Sequence, residues 1–67
     1  MQTTGQRLRT FRKQKKLTRD ELAERIDCHP TAIHNWEDDK RIPRSDFLYK
    51  LSKLYGVSME FLLTGKE

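Results

Sequence analysis

The sequence lacks the features that are typical of secreted and membrane proteins: paired cysteines, a long apolar segment and a signal peptide. Cys28 is the only cysteine in 67 residues, which excludes an intrachain disulfide and a cysteine-built zinc site. The apolar stretch at residues 61–63 is far shorter than the roughly 20 residues of a membrane-spanning helix. The first five residues contain no apolar core of a signal peptide. These absences predict a cytoplasmic protein without a membrane partner.

Glycine and proline are also scarce, with three and two residues respectively, and most of them lie near an inferred helix boundary. No stretch alternates apolar and polar residues over the length of a strand, so the pattern predicts an all-α chain. A chain of 67 residues has room for one domain, residues 1–67. We expect five helices: residues 5–15, residues 19–26, a third from Pro30, a fourth from Ser45 to a stop at Gly56, and a fifth between Ser58 and Gly65.

The second and third predicted helices carry the clearest start signals. Thr18 and Glu21 form a capping box, in which each side chain accepts a hydrogen bond from the other residue's backbone amide. His29 takes the cap position of the third helix and Pro30 its first position, where a missing N–H costs nothing. Only residues 27–29 separate the two helices. Two short helices joined so closely must cross steeply, as in a helix-turn-helix.

Charge is unevenly distributed along the chain. The net charge is +4, but residues 1–19 carry +7, residues 20–39 carry −6 and residues 40–67 carry +3. Residues 28–36 contain no formally charged side chain. Such segregation favours a polyanionic partner on one side of the molecule. Charge alone leaves an ordinary solvated basic patch equally open.

Two long stretches resemble one known family. "TRDELAERIDCHPTAIHNWEDDKRIP" and "LYKLSKLYGVSMEFLL" are similar to the lambda repressor/Cro-like helix-turn-helix regulators, and the resemblance extends over residues 5–65. It implies a compact, all-α, five-helix lambda-repressor-like DNA-binding domain, in which helices two and three form the helix-turn-helix. It also implies double-stranded DNA as the partner, contacted by a homodimer.

The third helix of this family lies in the major groove of DNA and contacts base edges. Asn35 can form two hydrogen bonds with adenine, and Thr31 can hydrogen-bond to a base or touch a thymine methyl group. The alternative for either residue is an ordinary solvated helix face. The resemblance predicts base contacts from His29, Pro30, Thr31, His34 and Asn35.

The flanks of this helix are expected to hold the DNA backbone. The N-terminus of the second helix is a natural anion site because its first amides are free, and the loop after the third helix is basic. The predicted phosphate-binding residues are Thr18, Arg19, Lys40, Arg41 and Arg44. Lys13, Lys15 and Lys16 are expected to form a solvated helix end.

The resemblance also implies two structural features. Arg12 and Glu37 are expected to form a partly buried ion pair that joins the first helix to the end of the third. The dimer surface is expected at the corner of helices four and five, with candidates Val57, Met59, Phe61 and Leu62.

The sequence departs from the family at several joints. Asp27 and Asp39 stand where relatives usually have glycine in left-handed turns, at a steric cost of up to about 1–2 kcal/mol. His29 replaces the usual Ser or Thr cap, which predicts either a poorly capped third helix or a contact with phosphate. Thr4 stands where an apolar residue often begins the first helix.

Three classes of function fit the sequence to different degrees. A sequence-specific transcriptional regulator, with repression as the expected activity, accounts for the most features. A protein-interaction module of the same fold, such as an antitoxin or coactivator component, is the alternative, because fold alone does not decide function. An enzyme is disfavoured, since His29 and His34 do not share a helical face and Cys28 has no evident base. We expect no metal, cofactor or small-molecule ligand.

Overall fold

The computed structural model describes residues 2–66 and contains five α-helices. They are α1 (Thr4–Gln14), α2 (Arg19–Ile26), α3 (Pro30–Glu37), α4 (Ser45–Tyr55) and α5 (Met59–Thr64). No strand occurs in residues 2–66. The predicted all-α, five-helix fold is therefore confirmed, with boundaries within about one residue of those expected. None of the helices in this range is long and apolar enough to cross a membrane.

Helix α1 begins one residue earlier than expected because of a cap that was not predicted. The Thr3 hydroxyl accepts from the Gln6 amide, and the Gln6 side chain accepts from the Thr3 amide. This is the same capping box that starts α2, where Thr18 and Glu21 exchange the equivalent bonds. The spacing Thr-x-x-Gln was visible in the sequence and would have placed the boundary correctly.

The joints between helices contain three non-glycine residues in left-handed conformation. Asp27 and Asp39 have φ values of 59° and 61°, as their alignment with family glycines predicts, and Lys16 has φ of 58° at the end of α1. Lys16 was not anticipated, since lysine has no special preference for this region. Gly56 ends α4 with φ of 70°, as expected.

The core lies where all five helices meet. The helix-turn-helix contributes Leu22, Ala23, Ile26, Ile33 and Trp36 to it. Leu62 of α5 is 0% exposed and belongs to the same core. Its assignment to the dimer surface was therefore wrong, because a side chain enclosed within one chain cannot contact a second copy. The remaining core residues are Leu8, Leu48, Leu51 and Tyr55.

The N-terminus of α1 packs directly against the C-terminus of α3. A Cβ atom on Gly5 would lie 2.6 Å from the carbonyl oxygens of Trp36 and Glu37, so only glycine allows this approach. The Gly5 amide donates to Asp39 Oδ1 at 2.9 Å, and the Thr3 hydroxyl donates to the other oxygen of that carboxylate. Asp39 thus caps α1 from the end of α3, which offsets the cost of its left-handed backbone.

Arg7 is buried although it is charged. Its guanidinium donates to the Leu62 carbonyl at 3.0 Å, the Leu63 carbonyl at 2.9 Å and the Gln2 carbonyl at 2.6 Å. These carbonyls include the last ones of α5, where a cation is favoured by the helix dipole. Arg7 therefore joins α1 to the end of α5 and is not part of a free basic surface.

Candidate nucleic-acid interface

Helix α3 turns one face to the core and the other to solvent. Ile33 and Trp36 are buried, whereas the residues predicted to contact bases lie outward. His29, Thr31 and His34 are exposed, and Pro30 and Asn35 are half-buried. The Thr31 and Asn35 side chains make no hydrogen bond to the described part of the chain, residues 2–66. Their donors and acceptors are free for a ligand.

His29 caps α3 despite not being Ser or Thr. Its Nδ1 accepts from the Thr31 amide at 3.1 Å, so this nitrogen carries no proton and the neutral ring keeps its proton on Nε2. The expectation of a poorly capped helix was therefore wrong. The remaining donor of the ring is Nε2–H.

Two clefts run along the sides of α3. The first, which we call the α2 cleft, lies between α3 and the N-terminus of α2. It is lined by Arg12, Thr18, Arg19, Asp20, Pro30, Thr31 and His34. It brings together three of the predicted base-contacting residues and two of the predicted phosphate-binding residues.

The second cleft, the loop cleft, lies between α3 and the basic loop that leads into α4. It is lined by Ala32, Asn35, Trp36, Arg41, Ile42, Arg44 and Phe47. Asn35, predicted to contact a base, therefore shares a depression with Arg41 and Arg44, which were predicted to contact phosphates. Ile42 is an exposed apolar residue here that was not singled out from the sequence. His29 and Lys40 are exposed and line neither cleft.

A buried carboxylate joins three helices behind the α2 cleft. Arg12 Nε lies 2.7 Å from Glu37 Oε2, and Arg12 Nη2 donates to Glu37 Oε1 at 3.1 Å. This is the ion pair between α1 and α3 that the resemblance implies. Hydrogen bonding to Glu37 raises the pKa of Arg12 above its ordinary value, against the opposing effect of burial.

Arg19 contacts the same carboxylate, which the sequence did not reveal. Its Nε lies 3.3 Å from Glu37 Oε1, and its side chain remains 35% exposed. Arg19 was expected only as a phosphate-binding residue. It is 18 positions from Glu37, and nothing local in the sequence indicates that they meet.

The three consecutive acids at the end of α3 are each engaged within the chain. Glu37 pairs with the two arginines, and Asp39 caps α1. Asp38 Oδ2 lies 3.0 Å from Nε2 of His34, one turn earlier on the same helix. Of the three carboxylates, Glu37 is the one whose charge is compensated by arginines, whereas Asp38 and Asp39 make hydrogen bonds within the chain.

Cys28 lies in the turn between α2 and α3 and is half-buried. Burial raises the pKa of its thiol above the ordinary value, and the neighbouring Asp27 carboxylate acts in the same direction, while Lys50 opposes them. Lys50 reaches this turn from α4, where its Nζ donates to the Ile26 carbonyl at 3.1 Å. The thiol is therefore protonated at neutral pH and unsuited to nucleophilic chemistry.

The expected dimer surface is only partly exposed. Val57, Met59 and Phe61 are half-buried, and the Phe61 ring packs edge-on against Phe11 at 6.1 Å between centroids. The groove along Val57 and Met59 also includes Tyr49 of α4, an exposed aromatic residue that was not proposed from the sequence.

No group of His, Cys, Asp and Glu side chains in residues 2–66 could hold a metal ion.

Comparison with known proteins agrees with this geometry. A family model described as a helix-turn-helix domain matches residues 5–67. The chain belongs to this helix-turn-helix family. The structure superimposes on the P22 c2 repressor, solved in complex with a synthetic operator, with a TM-score of 0.92 and 32% identity, covering 98% of this chain and 100% of that one.

Two curated relatives extend beyond the helix-turn-helix domain. The transcriptional regulator ImmR of Bacillus subtilis is 41% identical over 63 residues, which are 94% of this chain and 49% of the relative. The transcriptional activator BcrR of Enterococcus faecalis is 37% identical over 63 residues, 94% of this chain and 31% of the relative. The chain thus spans half or less of the length of these relatives.

Proposed function

We propose that this domain binds double-stranded DNA in a sequence-specific way and acts as a transcriptional regulator. The observation that carries the proposal is the arrangement around α3: its outer face, which has no formal charge up to residue 36 and presents the unbonded side chains of Thr31 and Asn35, lies between two clefts lined by arginines. The likeness to the P22 c2 repressor on its operator supports docking of this helix in the major groove.

The roles divide between charged and uncharged residues. Asn35 and Thr31 contact base edges, since both have free hydrogen-bonding groups on the outer face of α3. Arg19, Arg41 and Arg44 contact phosphates on either side, because each lines a cleft beside α3. Phosphate contacts set position and affinity, whereas base contacts set specificity. Thr18, Lys40, His29, Pro30 and His34 complete the interface.

The active form is a homodimer on a roughly palindromic operator, with half-sites about one helical turn apart. Val57 and Met59, together with Tyr49, form the candidate contact in place of the buried Leu62. Sedimentation with and without a two-half-site operator tests this, and a Tyr49→Asp variant should lose the dimer on DNA but keep the fold, since Tyr49 is exposed. Repression is the proposed activity, because an operator-bound protein blocks access to the DNA that it covers.

The decisive experiment is selection of binding sites from a random DNA library, followed by affinity measurements on the best site and a scrambled one. We expect the selected site to bind at least about 10³-fold more tightly at physiological salt. Asn35→Ala should weaken binding to the selected site by about 1–3 kcal/mol and relax the preference at one base pair. Equal affinities for selected and scrambled DNA would exclude this function and favour the protein-interaction module.

A further inference from the structure

The α2 cleft contains an arginine that contacts a buried acid. Arg19 is attached to Glu37 by one nitrogen only, Nε, at 3.3 Å from Oε1. Glu37 cannot move to follow it, because its side chain is 2% exposed and Arg12 holds both of its oxygens. The carboxylate is therefore a fixed anchor, and Arg19 is the partly exposed group attached to it.

We propose that Glu37 is a positioning residue for DNA binding: it holds Arg19 Nε so that the two terminal nitrogens of Arg19 bind a backbone phosphate at the α2 cleft. The inference rests on the proposed function and adds the origin of one of its contacts. Arginine suits this task because its five N–H donors form a rigid fork, so one edge can bind a carboxylate while another binds a phosphate.

The advantage is one of preorganisation. An exposed arginine side chain loses substantial rotamer freedom when it is fixed on a ligand, and a side chain that is already held loses less. Arg12 makes the arrangement electrostatically possible. With two arginines facing one glutamate, the cluster keeps a net positive charge, although exposed Asp20 on the same cleft offsets part of it.

The substitution Arg19→Lys distinguishes this arrangement from a simple charge effect. Lysine has one side-chain nitrogen. It therefore cannot bind Glu37 with one nitrogen and a phosphate with two others, as arginine does. We expect Arg19→Lys to weaken binding to selected and scrambled DNA alike, by about tenfold, with little change in the salt dependence, since the number of cations is unchanged. Arg19→Gln should lower the salt slope by about 0.9.

The role of Glu37 itself is tested by repeating Arg19→Lys where the anchor is absent. Replacing both partners of a buried ion pair by apolar residues is far milder than removing one, so Arg12→Met/Glu37→Met is the background of choice. The loss of affinity caused by Arg19→Lys should fall from about tenfold to about twofold in this background, the remainder reflecting the intrinsic preference of phosphate for arginine. Both proteins in this comparison carry Arg12→Met/Glu37→Met and differ only at residue 19. Any effect of the lost Arg12 and Glu37 on affinity is therefore the same in both and cancels.

Arg25→Lys on the same helix is the matched control and should change affinity equally little in both backgrounds. If Arg19→Lys weakened binding by the same factor in both backgrounds, the inference would be overturned and Glu37 would be a purely structural residue. If the double methionine variant does not fold, the single variant Arg19→Lys provides the test. An affinity for DNA equal to that of the wild type would overturn the inference. Failure of every variant to prefer selected over scrambled DNA would instead refute the proposed function.

Discussion

Two groups of basic residues look alike in the sequence but lie in opposite environments. Among the first nineteen residues, Arg7 and Arg12 are 8% and 7% exposed and bind carbonyls and a carboxylate of the same chain. In the loop after α3, Lys40, Arg41 and Arg44 are all exposed. The first pair contributes to folding. The loop side chains lie in solvent, where Arg44 makes an exposed ion pair with Asp46 at 3.4 Å, and such surface pairs are weak enough to be exchanged for a polyanion.

The comparison explains why net charge is a poor guide to the interface. The N-terminal segment, residues 1–19, has the highest positive charge in the sequence, +7. Two of its arginines are nevertheless buried in the fold, and a third, Arg19, forms an ion pair with Glu37. Burying a charge is favourable only with hydrogen-bonded partners, and both internal arginines have them. Substitutions of the buried arginines should therefore lower mainly the stability, whereas substitutions in the loop should lower mainly the affinity for DNA.

The largest effect on stability is expected for Arg12→Ala. The variant leaves Glu37 buried with only its single contact to Arg19, and breaking a buried pair on one side costs about 3–5 kcal/mol. Urea denaturation followed by fluorescence of Trp36, which lies in the core, measures the loss. Lys13→Ala at the exposed neighbouring position should change the free energy of unfolding by less than about 0.5 kcal/mol. Similar values for the two variants would contradict the internal role of Arg12.

Arg7→Met should have the next largest effect, about 2–3 kcal/mol, because it removes charge-assisted hydrogen bonds to the end of α5 while preserving the apolar part of the side chain. Thermal unfolding at several protein concentrations gives the change. Exposed Arg9→Met is the matched control. The folded fraction of the Arg7 variant should bind DNA as the wild type does. Reduced affinity at full folding would place Arg7 at the interface after all.

Single alanine substitutions at Lys40, Arg41 and Arg44 should leave stability within about 0.5 kcal/mol of wild type. Each should instead lower the slope of log affinity against log salt by about 0.9, because one fewer phosphate contact releases fewer counterions. Titrations from low to physiological salt provide the slopes, and Arg9→Ala on the exposed face of α1 is the control. A loop variant with the slope of wild type does not contact phosphate.

The smallest effect concerns Glu21, an exposed acid that acts within the chain. The hydrogen bond from the Thr18 backbone holds the pKa of Glu21 below its ordinary value. A lowered pKa in the folded state means that the stabilisation is present above the unfolded pKa, about 4.3, and is lost as pH falls through the folded value. The difference in melting temperature between wild type and Glu21→Gln should therefore shrink from pH 7 to pH 3. Glu24→Gln is the control, and a constant difference would argue against the capping role.

Local features of the sequence predicted local structure well. The start of α2 depends on residues three positions apart, Thr18 and Glu21, and such signals need no knowledge of the fold. Residues 61–63 were harder, because three consecutive apolar residues on a single short helix do not indicate which one faces inward. The structure encloses Leu62 and leaves Leu63 exposed.

Contacts between distant residues could not be predicted from the residues alone. Arg7 meets Leu62, and Asp39 meets Gly5, across 55 and 34 positions respectively. The Arg12–Glu37 pair was expected only through the family resemblance, and the additional contact from Arg19 was not expected at all. These contacts form after the helices have packed, so their pattern depends on tertiary geometry rather than on spacing.

The half-buried thiol of Cys28, in the turn between α2 and α3, is a natural site for chemical labelling. With one cysteine in the sequence, a thiol-specific reagent attaches at a single position, and no substitution is needed to introduce the label. Because the thiol is protonated at neutral pH and half-buried, it should react more slowly than a free thiol, and a change that loosens the turn should raise the rate. The rate of thiol modification can therefore report changes in the packing of the turn between α2 and α3 in the unmutated protein.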